Sequence, residues 1–112
     1  GHRAFGALFE TYVSNMLYAV IAGLPFRVGM YHWRAAGGAE VDIVLDHNGT
    51  FYPIEIKSAS RLSGHDARGI KAFQKKYADD PHHIAPGIII YSGSTCYWID
   101  EAVLAVPWNL LV

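Results

Sequence analysis

Two carboxylates and an ammonium, Asp42, Glu55 and Lys57, occupy polar positions in two short segments whose other positions are largely apolar. Carboxylate oxygens are the ligands a hard divalent cation selects, and an ammonium beside them can orient a water molecule or stabilise a developing oxyanion. The residue types and their spacing therefore describe a metal site. Glu10, in an upstream helical segment, is a third carboxylate to be placed relative to them.

Positioning these groups requires a hairpin. Glu40-Val41-Asp42-Ile43 and Ile54-Glu55-Ile56-Lys57 alternate polar and apolar residues with the period of a strand. Between them lies His47-Asn48-Gly49-Thr50, and Asn-Gly is the preferred pair for a tight type I′ turn because both residues tolerate positive φ. With Asn48 and Gly49 as the loop, Val41 faces Ile56, Ile43 faces Ile54 and Leu45 faces Tyr52. On the other face Asp42 is then opposite Glu55, and Glu40 opposite Lys57.

A slip of one residue would split the apolar set between faces, so burial of one face selects this register or one of equal parity. Opposed carboxylates ~5 Å apart repel by roughly 3 kcal/mol at an effective dielectric of ~20. Lys57 relieves part of that cost and a divalent metal would relieve all of it. The alternative is an amphipathic hairpin whose charged face is solvated and laced by ion pairs. Ile54, Ile56 and Ile88-Ile89-Ile90 argue for a sheet buried on one side or both, whereas Pro53 is unwelcome in a central strand.

The chain has 112 residues, 52% of them hydrophobic, which suits one domain with a core and not two. A net charge of −1 excludes a globally basic nucleic-acid binder. Charge is nevertheless segregated: Lys57, Arg61, Arg68, Lys71, Lys75 and Lys76 fall in a stretch whose only acid is Asp66. One cysteine, Cys96, excludes an internal disulfide framework and points to a cytoplasmic protein, with Cys96 expected in the core. No apolar run approaches the ~20 residues that cross a bilayer, and no signal peptide is recognisable. The sequence reads as a fragment of a longer protein.

From Phe5 to Ala22, Phe5, Phe9, Tyr12, Val13, Met16 and Val20 recur at helical spacing, with Glu10 roughly 100° from the centre of the stripe. A strand over 26–34 and the hairpin follow. A second helix over 65–79 turns Ile70, Phe73 and Tyr77 inward and Arg68, Lys71 and Lys75 outward. His65-Asp66 suits helix capping. Residues 81–86 read as a loop, 87–91 and 96–99 as strands, and the apolar tail from Val103 as a short edge strand or helix. Trp98, Trp108 and this tail either complete the core or form an interface. The order, helix, three strands, helix, two strands, gives an α/β domain with a mixed sheet.

Asp42 followed after twelve residues by Glu55-Ile56-Lys57 resembles the core motif of the PD-(D/E)xK nuclease superfamily, whose restriction-endonuclease-like fold has an α-β-β-β-α-β core. Gly6-Ala7-Leu8-Phe9-Glu10, Tyr31-His32-Trp33-Arg34, Gly38-Ala39-Glu40-Val41-Asp42 and Pro53-Ile54-Glu55-Ile56-Lys57-Ser58 are similar to the uncharacterised C-terminal domain that follows an AAA+ ATPase module in many bacterial and archaeal proteins. The resemblance implies catalytic roles for Asp42, Glu55, Lys57 and Glu10. Mg²⁺ or Mn²⁺ would be held by Asp42, Glu55, Glu10 and the carbonyl of Ile56. Two departures stand out. Val41 replaces the proline that names the motif, and Gln74, a site neighbour by analogy with RecB-like nucleases, is one residue out of step.

The expected activity is metal-dependent phosphodiester hydrolysis in DNA, with Arg61, Arg68, Lys71 and Lys75 on the phosphates and two copies pairing where both strands are cut. The alternative is a catalytically silent module that docks on or regulates its AAA+ ATPase. His82-His83 is a weak metal pair because adjacent loop residues seldom share one ion. The sequence has no Gly-x-x-x-x-Gly-Lys loop.

Overall fold

Asn48 and Gly49 both adopt positive φ, 51° and 78°, and close the hairpin between β2 (Glu40–His47) and β3 (Thr50–Lys57). His47 pairs with Thr50, Leu45 with Tyr52 and Ile43 with Ile54, the register that apolar alternation selects. The computed structural model describes residues 2–112 and places this hairpin in a seven-stranded mixed sheet.

The remaining elements are helix α1 (His2–Ala22), β1 (Gly29–Arg34), α2 (Arg68–Lys76), β4 (His83–Ile84), β5 (Gly87–Tyr91), β6 (Tyr97–Asp100) and β7 (Val103–Pro107). Short 3-10 turns at Gly64–Ala67 and Trp108–Leu111 precede α2 and follow β7. The main sheet runs β1-β2-β3-β5-β7-β6, antiparallel in its first three strands, parallel from β3 through β5 to β7, with β6 antiparallel at the far edge.

Both faces of the sheet are covered, which explains the unbroken Ile88-Ile89-Ile90 run. Ile90 joins Phe9, Val13, Leu17, Ile43, Ile54 and Ile56 under α1, while Ile89 joins Val41, Val44, Ile70, Phe73, Val103 and Ala105 under α2. A parallel strand covered on both sides has no polar face to alternate with. Pro53 is accommodated because it falls between the part of β3 paired with β4 and the part paired with β5, where that ladder is interrupted.

Several sequence expectations need correction. The tail forms β7, which lies inside the sheet and not at its edge. Residues 83–84, within the expected loop, make a two-residue parallel bridge to Thr50 and Phe51. Cys96 is exposed in the β5–β6 connection. On α1 the buried line is Phe9, Val13 and Leu17, and Phe5, Tyr12 and Val20 face outward. The helix is apolar nearly all round, so Arg3–Ala22 is long and apolar enough, by length and composition, to span a bilayer, contrary to the expectation that no segment is.

Candidate active site

Asp42 reaches its place through a β-bulge. Tyr31 pairs with Val44 but Trp33 with Val41, so Asp42 and Ile43 together oppose His32. The extra residue reverses the parity of β2. Val41 packs under α2 with Val44, while Ile43, two residues on, packs under α1. The sequence expectation that Val41 faces Ile56 is therefore corrected, and the β2–β3 ladder ends at Ile43–Ile54. Beyond it the Asp42 carboxylate takes over from the backbone, accepting the Ile56 N–H at 2.9 Å. Bulges commonly re-aim a side chain in this way. Ile56 thus enters the site through its amide.

Among the described residues Glu55 is the one ionisable side chain in the core, 6% exposed, on the α2 face of β3. Burial first, then a hydrogen bond to Asp42 and the Asp42 charge, push its pKa up to about 9, against a smaller opposing pull from Lys57. The repulsion expected between the two carboxylates is relieved within the protein by a proton held on Glu55. Glu40, expected opposite Lys57, pairs instead with Arg34 and approaches His32 at 3.9 Å.

These groups line a cleft of about 310 Å³ between the N-terminal end of α2 and the ends of β2 and β3, with Asp42, Glu55, Lys57 and Arg68 on its walls. Asp66, also on the wall, holds the turn before α2 by accepting the Ser63 N–H at 2.8 Å, the capping role expected of it. Glu10 stands outside the cleft, at an exposed position of α1. Partial burial and the Asp42 charge raise its pKa and Lys57 lowers it, so it lies within the electrostatic reach of the site.

The donor chemistry fits a hard divalent ion. Asp42 and Glu55 supply oxygens only, and Mg²⁺ is commonly held by one or two carboxylates while keeping several waters. Among the described residues no three His, Cys, Asp or Glu converge as a ready-made ligand set. For such an ion the protein would supply the carboxylate pair, with Glu10 at longer range.

The other expected residues separate. Arg68 lines the cleft, and Arg61 and Lys75 are exposed. Lys71 forms an ion pair with Asp100 on β6. Gln74 donates to the Ala102 carbonyl at 2.9 Å, away from the cleft, which corrects its assignment as a site neighbour. His82 bonds Asp80 and stacks on Phe51, and His83 is exposed.

A family model described as a domain of unknown function, DUF4143, matches residues 5–111. The chain belongs to the DUF4143 family. An uncharacterized protein of Mycobacterium bovis and one of Mycobacterium tuberculosis are each 30% identical to it over 102 residues, 91% of this chain and 21% of theirs. The chain therefore spans about a fifth of the length of these curated relatives. No solved structure matches it.

Sequence reasoning missed two residues that shape the site of this DUF4143 domain. His32 lies opposite the bulge, its Nδ1 3.3 Å from the Asp42 carbonyl. Gly69 lets α2 touch β2: a Cβ there would stand 2.0 Å from the Glu40 carbonyl oxygen and 3.0 Å from Glu55 Oε1. A glycine on the buried face of an otherwise good helix was the available signal. Gly69→Ala should lift α2 off β2 and cost about 1–3 kcal/mol, as overpacking does. Urea denaturation measures this, and an unchanged midpoint would refute the contact.

Proposed function

We propose that this DUF4143 domain is a metal-dependent nuclease of the PD-(D/E)xK type, hydrolysing phosphodiester bonds in DNA with Mg²⁺ or Mn²⁺. The observation that carries the reading is that Asp42 and the buried Glu55 line one open cleft with Lys57. A fold seldom buries a carboxyl such as Glu55 beside a second carboxyl and an ammonium for stability alone, since its desolvation is a cost that an apolar residue would not carry.

Asp42 and Glu55 would hold the metal, which would lower the pKa of a bound water and offset charge building on the phosphate. Lys57 and Arg68 line the same cleft, where Lys57 would orient that water and Arg68 would neutralise a phosphate oxygen. The C-terminal turn leaves the cleft open, because Trp108 packs edge-on against Phe9 and Tyr12 of α1.

A second reading, a silent module docking on an AAA+ ATPase, is favoured by the exposed Phe5, Leu8 and Tyr12 on α1. The two separate in one experiment, cleavage of labelled single-stranded, duplex and branched DNA with Mn²⁺. Wild type should cut, a chelator should stop it, and Lys57→Met should slow it by about 100-fold or more. Cutting that survives the chelator, or absent cutting on all substrates, would end the nuclease reading.

A further inference from the structure

On the α2 side of the sheet, beside edge strand β1, lies a second cleft of about 260 Å³ whose walls are Tyr31, Trp33, Phe51, Phe73 and Tyr77, with Asp46 at its rim. The rings brace one another. Trp33 meets Phe73 edge-on at 5.4 Å, Phe51 meets Phe73 at 5.8 Å, and His82 stacks on the far side of Phe51 at 4.0 Å. Tyr31 is 58% exposed and leans across Gly29 towards Asp46, forming an outer wall. The cleft is pre-formed and apolar, with the Asp46 carboxylate, 3.9 Å from His82 Nε2, as its polar handle.

We infer that this cleft receives an unpaired nucleobase carrying an exocyclic amino group, cytosine above all, from the strand whose phosphate lies at Asp42, Glu55 and Lys57. The inference rests on the nuclease reading for the position of that phosphate. Aromatic walls suit the π-face of a base, which stacks on such side chains in single-strand binding sites. Asp46 repels phosphate but accepts from an amino group, as carboxylates do from cytosine N4. Continuity supports the same strand serving both places. His32 lines the aromatic cleft and touches the Asp42 backbone, while Asp46 is four residues from Asp42 along β2, ~13 Å at strand rise. A few nucleotides cover that span. The substrate class is therefore single-stranded nucleic acid, or a single-stranded region, since a paired base cannot enter.

Fluorescence anisotropy with chelator present separates this from catalysis. The probes are short labelled oligomers of deoxycytidine, of thymidine and of abasic sugar-phosphate. Wild type should bind the deoxycytidine oligomer about 10-fold more tightly than the abasic one, with thymidine between them. Tyr31→Ala should abolish the difference without weakening abasic binding, and Asp46→Asn should level cytosine and thymine. Equal affinity for all three oligomers, no binding of any, or base preference intact in Tyr31→Ala would each overturn the proposal. So would quenching of tryptophan fluorescence by tetramethylammonium with no response to the oligomers, which would mark a cation cage. Base-dependent binding without Mn²⁺-dependent cutting would uphold the cleft and refute the nuclease, while cutting with no base preference would do the reverse.

Discussion

Asp42→Asn should reduce metal-dependent cleavage by about 10³-fold or more and leave the fold intact. Asparagine keeps a carbonyl oxygen to accept the Ile56 N–H, so the bulged end of β2 retains its tether to β3. It loses the charge that a divalent cation needs. Nucleic-acid affinity should hold or rise, because a negative group leaves a cleft lined by Lys57 and Arg68. Cleavage rate and filter binding on the same preparation test both statements. Full cleavage by the variant would remove Asp42 from the chemistry.

The second large effect concerns Glu55 and pH. In the folded chain Glu55 keeps its proton up to about pH 9, against an ordinary value of 4.5. Folded protein therefore binds more protons than unfolded protein across that window, and stability falls as pH rises through it. Glu55→Gln keeps the shape and a donor for Asp42 but has no proton to lose. It should be near neutral at pH 4.5 and more stable than wild type by about 4 kcal/mol at pH 8, by urea denaturation. The proton also competes with metal. Binding Mn²⁺ must expel it, so affinity should climb by up to about tenfold per pH unit below 9, with a proton released on binding. Titration calorimetry in buffers of different ionisation enthalpy reads that proton directly. Metal affinity independent of pH would show that Glu55 is not a ligand.

The hairpin, its register from Ile43 to His47, and the two-faced burial of the sheet were legible because each is set locally, by Asn48-Gly49 and by apolar runs. The bulge was not, since Glu40 to Ile43 alternates perfectly and the extra residue exists only relative to β1, a partner roughly ten positions away. The buried line of α1 was misplaced because a helix apolar nearly all round gives little contrast, so that Leu17 rather than Tyr12 faces the sheet. Asp42, Glu55 and Lys57 were found from their types and do share a cleft. Gln74 and Lys71 went elsewhere because Ala102 and Asp100, their partners, arrive from the distant β6–β7 hairpin, which helical periodicity cannot see.

The bulge makes strand β2 behave like a text with a shifted reading frame. Residues on either side of Asp42 address the two hydrophobic layers in opposite phase, Val41 one way and Ile43 the other. Side-chain identity at Asp42 can change without disturbing that phase, but chain length there cannot. Deleting Ile43 would restore a regular ladder and keep Val41 in phase with Val44, but it would put Asp42 in the α1-facing position of Ile43 and swing the carboxylate away from Glu55. The position is thus permissive to substitution in folding terms and intolerant of insertions and deletions, so related sequences should vary in residue type around Asp42 far more readily than in spacing.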